Sequence, residues 1–543
     1  MMLFFIGYIV KIHKISIEGN FQETVANQNS YKLNVTHTRG KIYDCRGVSL
    51  VGGKSKFLAA IVPCAKTFEV ISSLVDKNSI ESIGAKFKSV LPFIIEIPKK
   101  VEYEGINVFE IPERYSDTAY ASHIIGYLSS ENRGAYGIER AFEDHLSRNG
   151  EIELRYGMNA KGEILCKDPI NIKSDLKNSG VVLQIDKRIQ IISEDIANKY
   201  ISKGAVIVTE VPNCEIRACA SFPSFLPNGI KHCLNDESSP LLNRALCQYN
   251  VGSIFKLVTA AAACECDLDE YFTYNCQGLF SEENNVSIHC FSGIPHGRID
   301  VGDAISLSCN GFFVKISKKI DPKFFIKISS ELGFGKPIEL APYIIASEGN
   351  LPSKEEIEDS KKMAMFSFGQ GSLMASPVQI SGIINAICCG GTYSKPVLVK
   401  ALIGEDAQIT NFSADPPKQV FKQKTAEKLK KYMKRAVTHG TAKRGKPDLT
   451  TAGAKTSTAE TGIIKNEQRV NQSWFAGFFP FEKPKYCVVV LSEDDDGGGK
   501  NCGPVFKEIA DEINKMENLE PVFKRANSKF LKNFSSVMIK KAQ

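Results

Sequence analysis

The sequence predicts an α+β protein, and three observations lead to that prediction. Strand-like segments occur near residue 180 and again after residue 450, and helical patterns dominate between them to about residue 390. Short β-rich runs separated by turns fill the first 175 residues. Strands at both ends of a segment with helices between them are typical of one α+β domain. The chain has 543 residues, which allows about two to four domains and a sizeable core.

The individual elements follow from local patterns. Residues 39–50 read as a strand, a turn and a strand, and residues 140–146 as a helix. Residues 181–186 predict a strand and residues 187–203 a helix. The remaining assignments are a hairpin at 205–211 and 215–220, strands at 474–479 and 486–491, and a last helix at 504–516.

Composition limits the class of partner. The chain has 68 basic and 61 acidic residues, a net charge of +7, which is mild for this length. It has no basic arm with interleaved aromatic residues, so we predict that nucleic acid is not a partner. The apolar residues 1–10 are too few to cross a bilayer, which takes about 20. They fit either a buried element or the C-terminal half of a membrane anchor. The basic tail after residue 516 suits an anionic surface.

Sixteen cysteines show no regular disulfide framework. Cys264, Cys266, Cys276, His289 and Cys290 resemble loose metal ligands, but their spacing fits no common zinc pattern. We therefore predict buried free thiols, with one or two disulfides as the alternative, and no metal site. Many free thiols would suit a reducing or anaerobic habitat.

The stretch from Val251 to Ala263 is the first candidate for chemistry. Its alanine-rich, apolar run predicts a buried helix, and Gly252 permits a sharp turn into it. Ser253 and Lys256 lie three residues apart and so share a face near the helix N-terminus. The helix dipole there stabilises an oxyanion and disfavours an ammonium group, so a neutral Lys256 could take the Ser253 proton. In isolation, a helix-capping serine and a solvated lysine explain the pattern better than catalysis does, because serine and lysine are common residues.

Two later motifs change that balance. Ser308-Cys309-Asn310 supplies a second hydroxyl and a carboxamide. Lys455-Thr456-Ser457-Thr458 lies in a segment whose strand edge could pair with an extended peptide. The order S-x-x-K, S-x-N, K-T-x is associated with penicillin-binding proteins and serine β-lactamases.

The chain resembles the class B penicillin-binding proteins, which are peptidoglycan D,D-transpeptidases, over about residues 30–515. Further segments occur in that family's order: Arg39–Asp44, His123–Tyr127, Gly137–Glu139, Ala220–Phe225, Asn243–Ala245, Phe368–Gly371, Ser376–Gln379, His439–Ala442 and Gly499–Ile509.

The resemblance implies a specific architecture within the α+β class. It implies a penicillin-binding transpeptidase domain, with an antiparallel sheet flanked by helices and an all-helical subdomain, preceded by a β-rich, elongated N-terminal module. We expect a truncated membrane-anchor remnant at 1–12, a pedestal or dimerisation-type module at 13–175, the transpeptidase domain at 176–516 and a basic tail at 517–543.

The resemblance also implies residue roles. Ser253 would be the acylated nucleophile, Lys256 its general base and Ser308 the relay to the leaving D-alanine. Asn310 would hold the substrate amide and orient Lys256. The remaining roles are substrate binding by Lys455, Thr456, Ser457 and Thr458, and an oxyanion hole formed by the backbone N–H groups of Ser253 and Thr458.

The implied reaction cross-links peptidoglycan stem peptides that end in D-Ala-D-Ala, with a carboxypeptidase side activity and without a cofactor. β-Lactams would acylate Ser253. The resemblance further implies a SEDS-type membrane glycosyltransferase as partner. The catalytic domain would lie outside the cytoplasm, attached to the cell membrane by a single N-terminal anchor.

Two sequence departures from the family stand out. The family usually has glycine after K-T, where this chain has Ser457, whose side chain would either point across the pleat or crowd the acyl group. The family's D-R-N-G is Asp44-Cys45-Arg46-Gly47 here, which concerns the scaffold more than the chemistry.

Two other functions fit part of the pattern. A β-lactam sensor or a class D-type β-lactamase shares S-x-x-K and K-T-x, but the long module before residue 175 disfavours it. A non-catalytic cell-wall assembly scaffold would use the N-terminal module, but the complete set of Ser253, Lys256, Ser308, Asn310 and Lys455 disfavours a loss of activity.

Overall fold

A computed structural model describes residues 30–147, 149–159, 161–282, 286–290, 293–465, 468–493 and 499–519. The expected anchor remnant and nearly all of the expected basic tail lie outside these residues. Within the described ranges, no helix is both long enough and apolar enough to span a bilayer.

The first part of the chain is rich in short strands. Its strands are β1 (Ser30–His37), β2 (Lys41–Tyr43), β3 (Ser55–Ile61), β4 (Phe93–Ile97), β5 (Ile106–Pro112), β6 (Gly150–Gly157) and β7 (Asn171–Leu176). Its helices are α1 (Ala65–Ser72), α2 (Lys77–Lys86), α3 (Ser122–Ile125), α4 (Gly137–Ala141) and α5 (Glu143–Leu146). The predicted helix at 140–146 is therefore two short helices that meet at Phe142.

Two three-stranded antiparallel sheets, ordered β1-β6-β7 and β4-β3-β5, form this region. Alternate residues of β6 (Ile152, Leu154 and Tyr156) are buried, as the period of two in a strand requires. They pack with Ala60 of β3 in a core between the sheets. Ile61 of β3 lies in a second core. The module thus has small cores of its own.

A buried carboxylate ties this module together. Glu139 on α4 is fully buried. Its Oε2 accepts a hydrogen bond from Arg39 Nε at 2.7 Å, and its Oε1 accepts from Arg114 Nε at 2.6 Å and from the Tyr115 hydroxyl at 3.1 Å. Arg39 also contacts Glu143 at 2.6 Å. The segments Arg39–Asp44 and Gly137–Glu139 therefore meet in one ion-pair network, in which Arg39 and Glu139 are 100 residues apart.

The rest of the described chain alternates between strands and helices. Its strands are β8 (Gly180–Leu183), β9 (Gly204–Glu210), β10 (Glu215–Phe222), β11 (Tyr249–Asn250), β12 (Tyr274–Cys276), β13 (Leu279–Glu282), β14 (Val286–His289), β15 (Gly297–Ile299), β16 (Ile338–Ala341), β17 (Ile344–Ala346), β18 (Met374–Ala375), β19 (Thr392–Tyr393), β20 (Val399–Ile403), β21 (Ile409–Asn411), β22 (Lys418–Gln419), β23 (Gly453–Lys465), β24 (Gln468–Phe479) and β25 (Tyr486–Ser492). Its α-helices are α6 (Lys187–Ala197), α7 (Ile230–Cys233), α8 (Lys256–Glu265), α9 (Val301–Leu307), α10 (Asn310–Ser317), α11 (Pro322–Glu331), α12 (Lys354–Ile357), α13 (Ser360–Ser367), α14 (Pro377–Cys388), α15 (Gln423–Thr438) and α16 (Cys502–Leu519).

A five-stranded antiparallel sheet in the order β10-β9-β25-β24-β23 forms the centre of this part. Side chains of β25 alternate between its two faces. Val488 and Val490 join the core that contains residues of α6 and α16, whereas Val489 packs on the other side with α14. Helices thus cover both faces of an antiparallel sheet, and the α+β prediction is confirmed. Because β23 lies at one end of the order, one of its edges is available for pairing.

The helix predicted to reach residue 203 ends earlier, at Ala197 of α6. The chain then turns and enters β9 at Gly204. A Cβ at Gly204 would lie 2.0 Å from the Leu491 carbonyl oxygen of β25, so the close approach of these backbones requires glycine there.

Candidate active site

Ser253 lies in a tight turn just before α8. Residues Gly252–Ile254 form one turn of 3₁₀ helix, and Gly252 has a φ of 57°. The Gly252 N–H donates to the Gly369 carbonyl at 2.8 Å, which anchors the turn to the Phe368–Gly371 segment. Phe255, which is fully buried, stacks with Phe325 and packs against Phe366 with its ring tilted by 49°. The nucleophile candidate therefore sits half-buried on a rigid support.

Lys256 begins α8 and is completely buried. Its Nζ donates to the Ser308 carbonyl at 2.8 Å, the Ser308 hydroxyl at 3.1 Å and Asn310 Oδ1 at 2.6 Å. Burial lowers the pKa of Lys256 to about 8, although negative charge on Cys309 and Cys290 opposes that shift. A large neutral fraction near neutral pH suits a general base.

Ser308 lies at the break between α9 and α10. It has a φ of 58° and closes α9, while Asn310 opens α10. The side-chain amide of Asn310 donates to the His289 carbonyl at 2.8 Å, which fixes its oxygen towards Lys256. The structure thus brings Ser308 and Asn310 onto Lys256.

Lys455 on β23 also contacts Ser308. It is fully buried, and its Nζ donates to the Ser308 hydroxyl at 2.9 Å and to the Thr456 carbonyl at 2.7 Å. Burial and the charge of Lys256 lower the pKa of Lys455 well below its usual value. Among the described residues, no carboxylate forms a salt bridge with either lysine. The Ser308 hydroxyl is therefore shared by two buried amino groups.

The other residues of the K-T-x motif continue along β23. The Thr456 hydroxyl donates to the Thr441 hydroxyl at 2.9 Å, which links the strand to the His439–Ala442 segment. Thr458 pairs with Ser473 of β24 and is half-buried. Thr441 joins the site through a contact that the motif order alone did not indicate.

Ser457 does not offer its side chain to a ligand. Its hydroxyl donates to the Val251 carbonyl at 2.9 Å, and the residue is 2% exposed. The expected substrate-binding role therefore does not extend to the Ser457 side chain, because the pleat directs it beneath the nucleophile turn. In the described chain, no hydrogen bond joins the Ser253 hydroxyl to Lys256.

All sixteen cysteines are free thiols, in agreement with the sequence prediction, although Cys166 and Cys266 are exposed rather than buried. Cys276 and Cys290 do come together, but with His296 and Cys309 rather than with Cys264, Cys266 or His289. Sequence reasoning missed His296, and it treated Cys309 only as the middle residue of S-x-N.

The chain is similar to known penicillin-binding proteins over most of its length. The family described as Penicillin binding protein transpeptidase domain matches residues 204–511. Stage V sporulation protein D of Bacillus subtilis (strain 168) is 24% identical over 514 residues, which cover 87% of this chain and 77% of the relative. Peptidoglycan D,D-transpeptidase MrdA of Haemophilus influenzae is 24% identical over 577 residues, which cover 90% of this chain and 86% of the relative.

A solved structure has the same fold. The complex between penicillin-binding protein PBP2 and MreC from Helicobacter pylori matches with a TM-score of 0.69 and 21% identity, covering 90% of this chain and 99% of that chain. The family match spans more than half of the chain and includes Ser253, Lys256, Ser308, Asn310 and Lys455. The chain belongs to the penicillin-binding protein transpeptidase family and is a class B penicillin-binding protein.

Proposed function

We propose that the chain is a peptidoglycan D,D-transpeptidase that acts through an acyl-enzyme on Ser253. The observation that carries the proposal is the position of the Ser308 hydroxyl, 3.1 Å from Lys256 Nζ and 2.9 Å from Lys455 Nζ. One hydroxyl held between two buried amino groups can pass a proton from the base to a leaving group.

In the first step, Ser253 Oγ attacks the carbonyl carbon between the two D-alanines while neutral Lys256 takes the hydroxyl proton. The backbone N–H groups of Ser253 and Thr458 stabilise the negative oxygen of the tetrahedral intermediate. The C–N bond then breaks. The proton moves from Lys256 through the Ser308 hydroxyl to the departing nitrogen, so D-alanine leaves with a neutral amino group.

In the second step, the amine of a neighbouring stem peptide attacks the acyl carbon. The bond to Ser253 Oγ breaks, and Ser253 regains a proton that the attacking amine releases through Ser308 and Lys256. Water in place of the amine gives the carboxypeptidase side reaction. Hydrogen bonds of catalytic groups often tighten only when substrate is bound, which accounts for the missing hydrogen bond between Ser253 and Lys256 in the described chain.

The substrate would bind along β23. The edge of this strand offers backbone groups to an extended stem peptide, as in other cases of β-strand addition. Lys455 and Thr456 line the part of the cleft that would receive the terminal carboxylate of the stem peptide. Asn310 would hold an amide group of the same peptide. The carboxylate and strained amide of a β-lactam mimic the dipeptide, so β-lactams acylate Ser253 in place of substrate.

The same assignment extends to domains, partners and location. Residues 13–175 serve as a pedestal and residues 176–516 as the catalytic domain, in accord with the separate small cores before residue 175. The partner is a SEDS-type membrane glycosyltransferase that supplies glycan strands. A single N-terminal anchor attaches the protein to the cell membrane, with the catalytic domain on the outer side. The PBP2 of Helicobacter pylori is complexed with MreC, which agrees with pairing to other cell-wall proteins.

Incubation with a labelled penicillin tests the proposal directly. We expect the intact protein to gain the mass of one penicillin, and peptide mapping to place it on Ser253. The Ser253→Ala variant should gain no mass, whereas the control Ser360→Ala, at an exposed position on α13, should behave as wild type. An adduct on another residue, or no adduct on folded wild type, would contradict the proposal. Rapid loss of the adduct would favour the β-lactamase alternative.

A further inference from the structure

A second cluster of reactive side chains lies behind the S-x-N turn. The ligand atoms of Cys276, Cys290, His296 and Cys309 all lie within 4.8 Å of one another. The Sγ atoms of Cys276 and Cys290 are 3.6 Å apart, as are those of Cys290 and Cys309, and Cys276 Sγ is 3.3 Å from His296 Nδ1. The three cysteines are at most 4% exposed, and His296 is half-buried.

These distances suit a shared metal ion better than a disulfide. A disulfide joins two sulfurs at about 2.05 Å. Sulfurs that bind one tetrahedral zinc at about 2.3 Å lie about 3.8 Å apart, close to the 3.6 Å found here. Three cysteines and one histidine form a common ligand set of structural zinc sites. The Gly278 N–H, which points at Cys276 Sγ from 3.4 Å, provides the outer hydrogen bond that such sulfurs often accept.

The electrostatics of the neighbourhood also favour this assignment. Zinc with three thiolates and one neutral imidazole carries a net charge of about −1. Lys256 and Lys455 are fully buried nearby, and neither has a carboxylate partner in the described chain. A negatively charged centre next to Ser308 would stabilise the charged form of Lys455, whose Nζ contacts the Ser308 hydroxyl at 2.9 Å.

We propose that Cys276, Cys290, His296 and Cys309 bind one zinc ion that holds the S-x-N turn in its catalytic position. Cys309 lies between Ser308 and Asn310, so the ion would restrain both residues. Cys290 follows His289, whose carbonyl accepts from Asn310 at 2.8 Å. Zinc would therefore fix both the Asn310 backbone and the carbonyl that orients its side chain. The ion would also join β12 and the β14–β15 connection to the start of α10.

Metal content of the full chain, purified under reducing conditions with zinc present, tests this site. We expect native mass spectrometry to find about one zinc per wild-type chain, and cobalt substitution to give the strong thiolate-to-cobalt absorption of a tetrahedral site. His296→Ala should lose the ion, whereas His296→Cys, which restores a ligand, and Cys166→Ser, at an exposed thiol elsewhere, should keep it. Cys276→Ser serves as a second ligand variant.

Three outcomes would overturn the zinc site. In the first, folded wild-type protein binds neither zinc nor cobalt. In the second, the His296→Ala variant keeps full zinc occupancy. In the third, Cys290 and Cys309 form a disulfide and no metal binds. None depends on turnover, so this test and the penicillin adduct test fail separately. If the ion restrains the turn, its removal by chelator should also slow acylation of Ser253 at least about 10-fold, since one misplaced catalytic group has that effect.

A separate observation concerns Ser457, and this inference rests on the proposed function. The Ser457 hydroxyl binds the Val251 carbonyl, 206 residues away, while Trp474 Nε1 donates to the Asn250 carbonyl at 3.0 Å. Ser457 and Trp474 are paired in the β23–β24 ladder. A Cβ on Gly252 would lie 2.3 Å from Ser457 Oγ, so the serine fills the space beneath the turn.

We infer that Ser457 is a positioning residue that sets the gap between the two oxyanion-hole N–H groups. Val251 precedes Ser253 by two residues, and Ser457 immediately precedes Thr458. A bond between Val251 and Ser457 thus links the two backbones that supply the donors. The serine takes a position where the family usually has glycine, and it adds a direct bridge across the site.

Acylation kinetics of Ser457 variants with a chromogenic β-lactam test this role. We expect Ser457→Ala to slow the acylation step about 10-fold, as loss of one hydrogen bond allows, with the dissociation constant of the preceding complex unchanged. Ser457→Thr, which keeps the hydroxyl, should restore most of the rate. Equal rates for wild type and Ser457→Ala, or no recovery in Ser457→Thr, would overturn the role. If wild type is not acylated at all, the proposed function fails instead.

Discussion

Replacement of Lys256 by alanine will slow the acylation of Ser253 by about 10²- to 10⁴-fold, the usual contribution of a general base. Lys256 is the buried amine that contacts both Ser308 and Asn310, and its removal leaves the Ser253 proton without an acceptor. The rate can be measured with a fluorescent penicillin under single-turnover conditions. The control Lys323→Ala removes an exposed lysine from α11 and should leave the rate unchanged.

If Lys256 is the general base, the rate of Ser253 acylation in the wild-type protein should depend on pH. Lys256 accepts a proton only when it is neutral, and burial lowers its pKa from 10.5 to about 8. The neutral fraction therefore grows with pH, and the acylation rate constant should rise through a midpoint near pH 8 and then level off. Lys256→Ala should lack this transition. A Lys256→Ala variant that acylates at the wild-type rate with the same pH profile would exclude Lys256 as the base.

The Glu139→Gln substitution will destabilise the N-terminal module by about 3–5 kcal/mol, the cost of breaking a buried ion pair. Glu139 is fully buried and accepts hydrogen bonds from Arg39, Arg114 and Tyr115. The neutral amide leaves two partly buried guanidinium groups without their shared carboxylate. Urea unfolding monitored by circular dichroism measures the loss.

Glu143→Gln is the matched control for this substitution. Glu143 contacts Arg39 as well, but its side chain is 27% exposed, so solvent screens the pair and its loss should cost about 1 kcal/mol or less. Equal urea midpoints for the two variants would show that the buried network does not hold the module together.

Much of the candidate active site was predictable because it depends on short, ordered motifs. Ser253 and Lys256 are three residues apart, and the order of the later motifs identified Ser308, Asn310 and Lys455. Strands β9 and β25 of the central sheet were predictable from their continuous apolar runs, which indicate strands that are buried on both faces. The sequence could not predict the left-handed backbone of Ser308, because only the meeting of α9 and α10 imposes it.

Contacts between distant segments were the least predictable features. Cys276, Cys290, His296 and Cys309 have no regular spacing, since two small hairpins and a helix start bring them together. The direction of the Ser457 hydroxyl also remained open, because either face of β23 was compatible with the motif. The pairing of β23 with β24 and the position of the nucleophile turn decide it.

If Lys455 binds the substrate carboxylate as proposed, we expect the two buried lysines to couple ligand binding to proton uptake. Burial and the charge of Lys256 hold the pKa of Lys455 well below its usual value in the free protein. A carboxylate that binds beside Lys455 favours its charged form and so draws a proton from solvent into the site. Affinity for carboxylate ligands should then fall as pH rises, while the acylation rate constant increases. We therefore expect the overall efficiency of acylation to be a bell-shaped function of pH, with its optimum where the loss of carboxylate binding balances the gain in acylation rate.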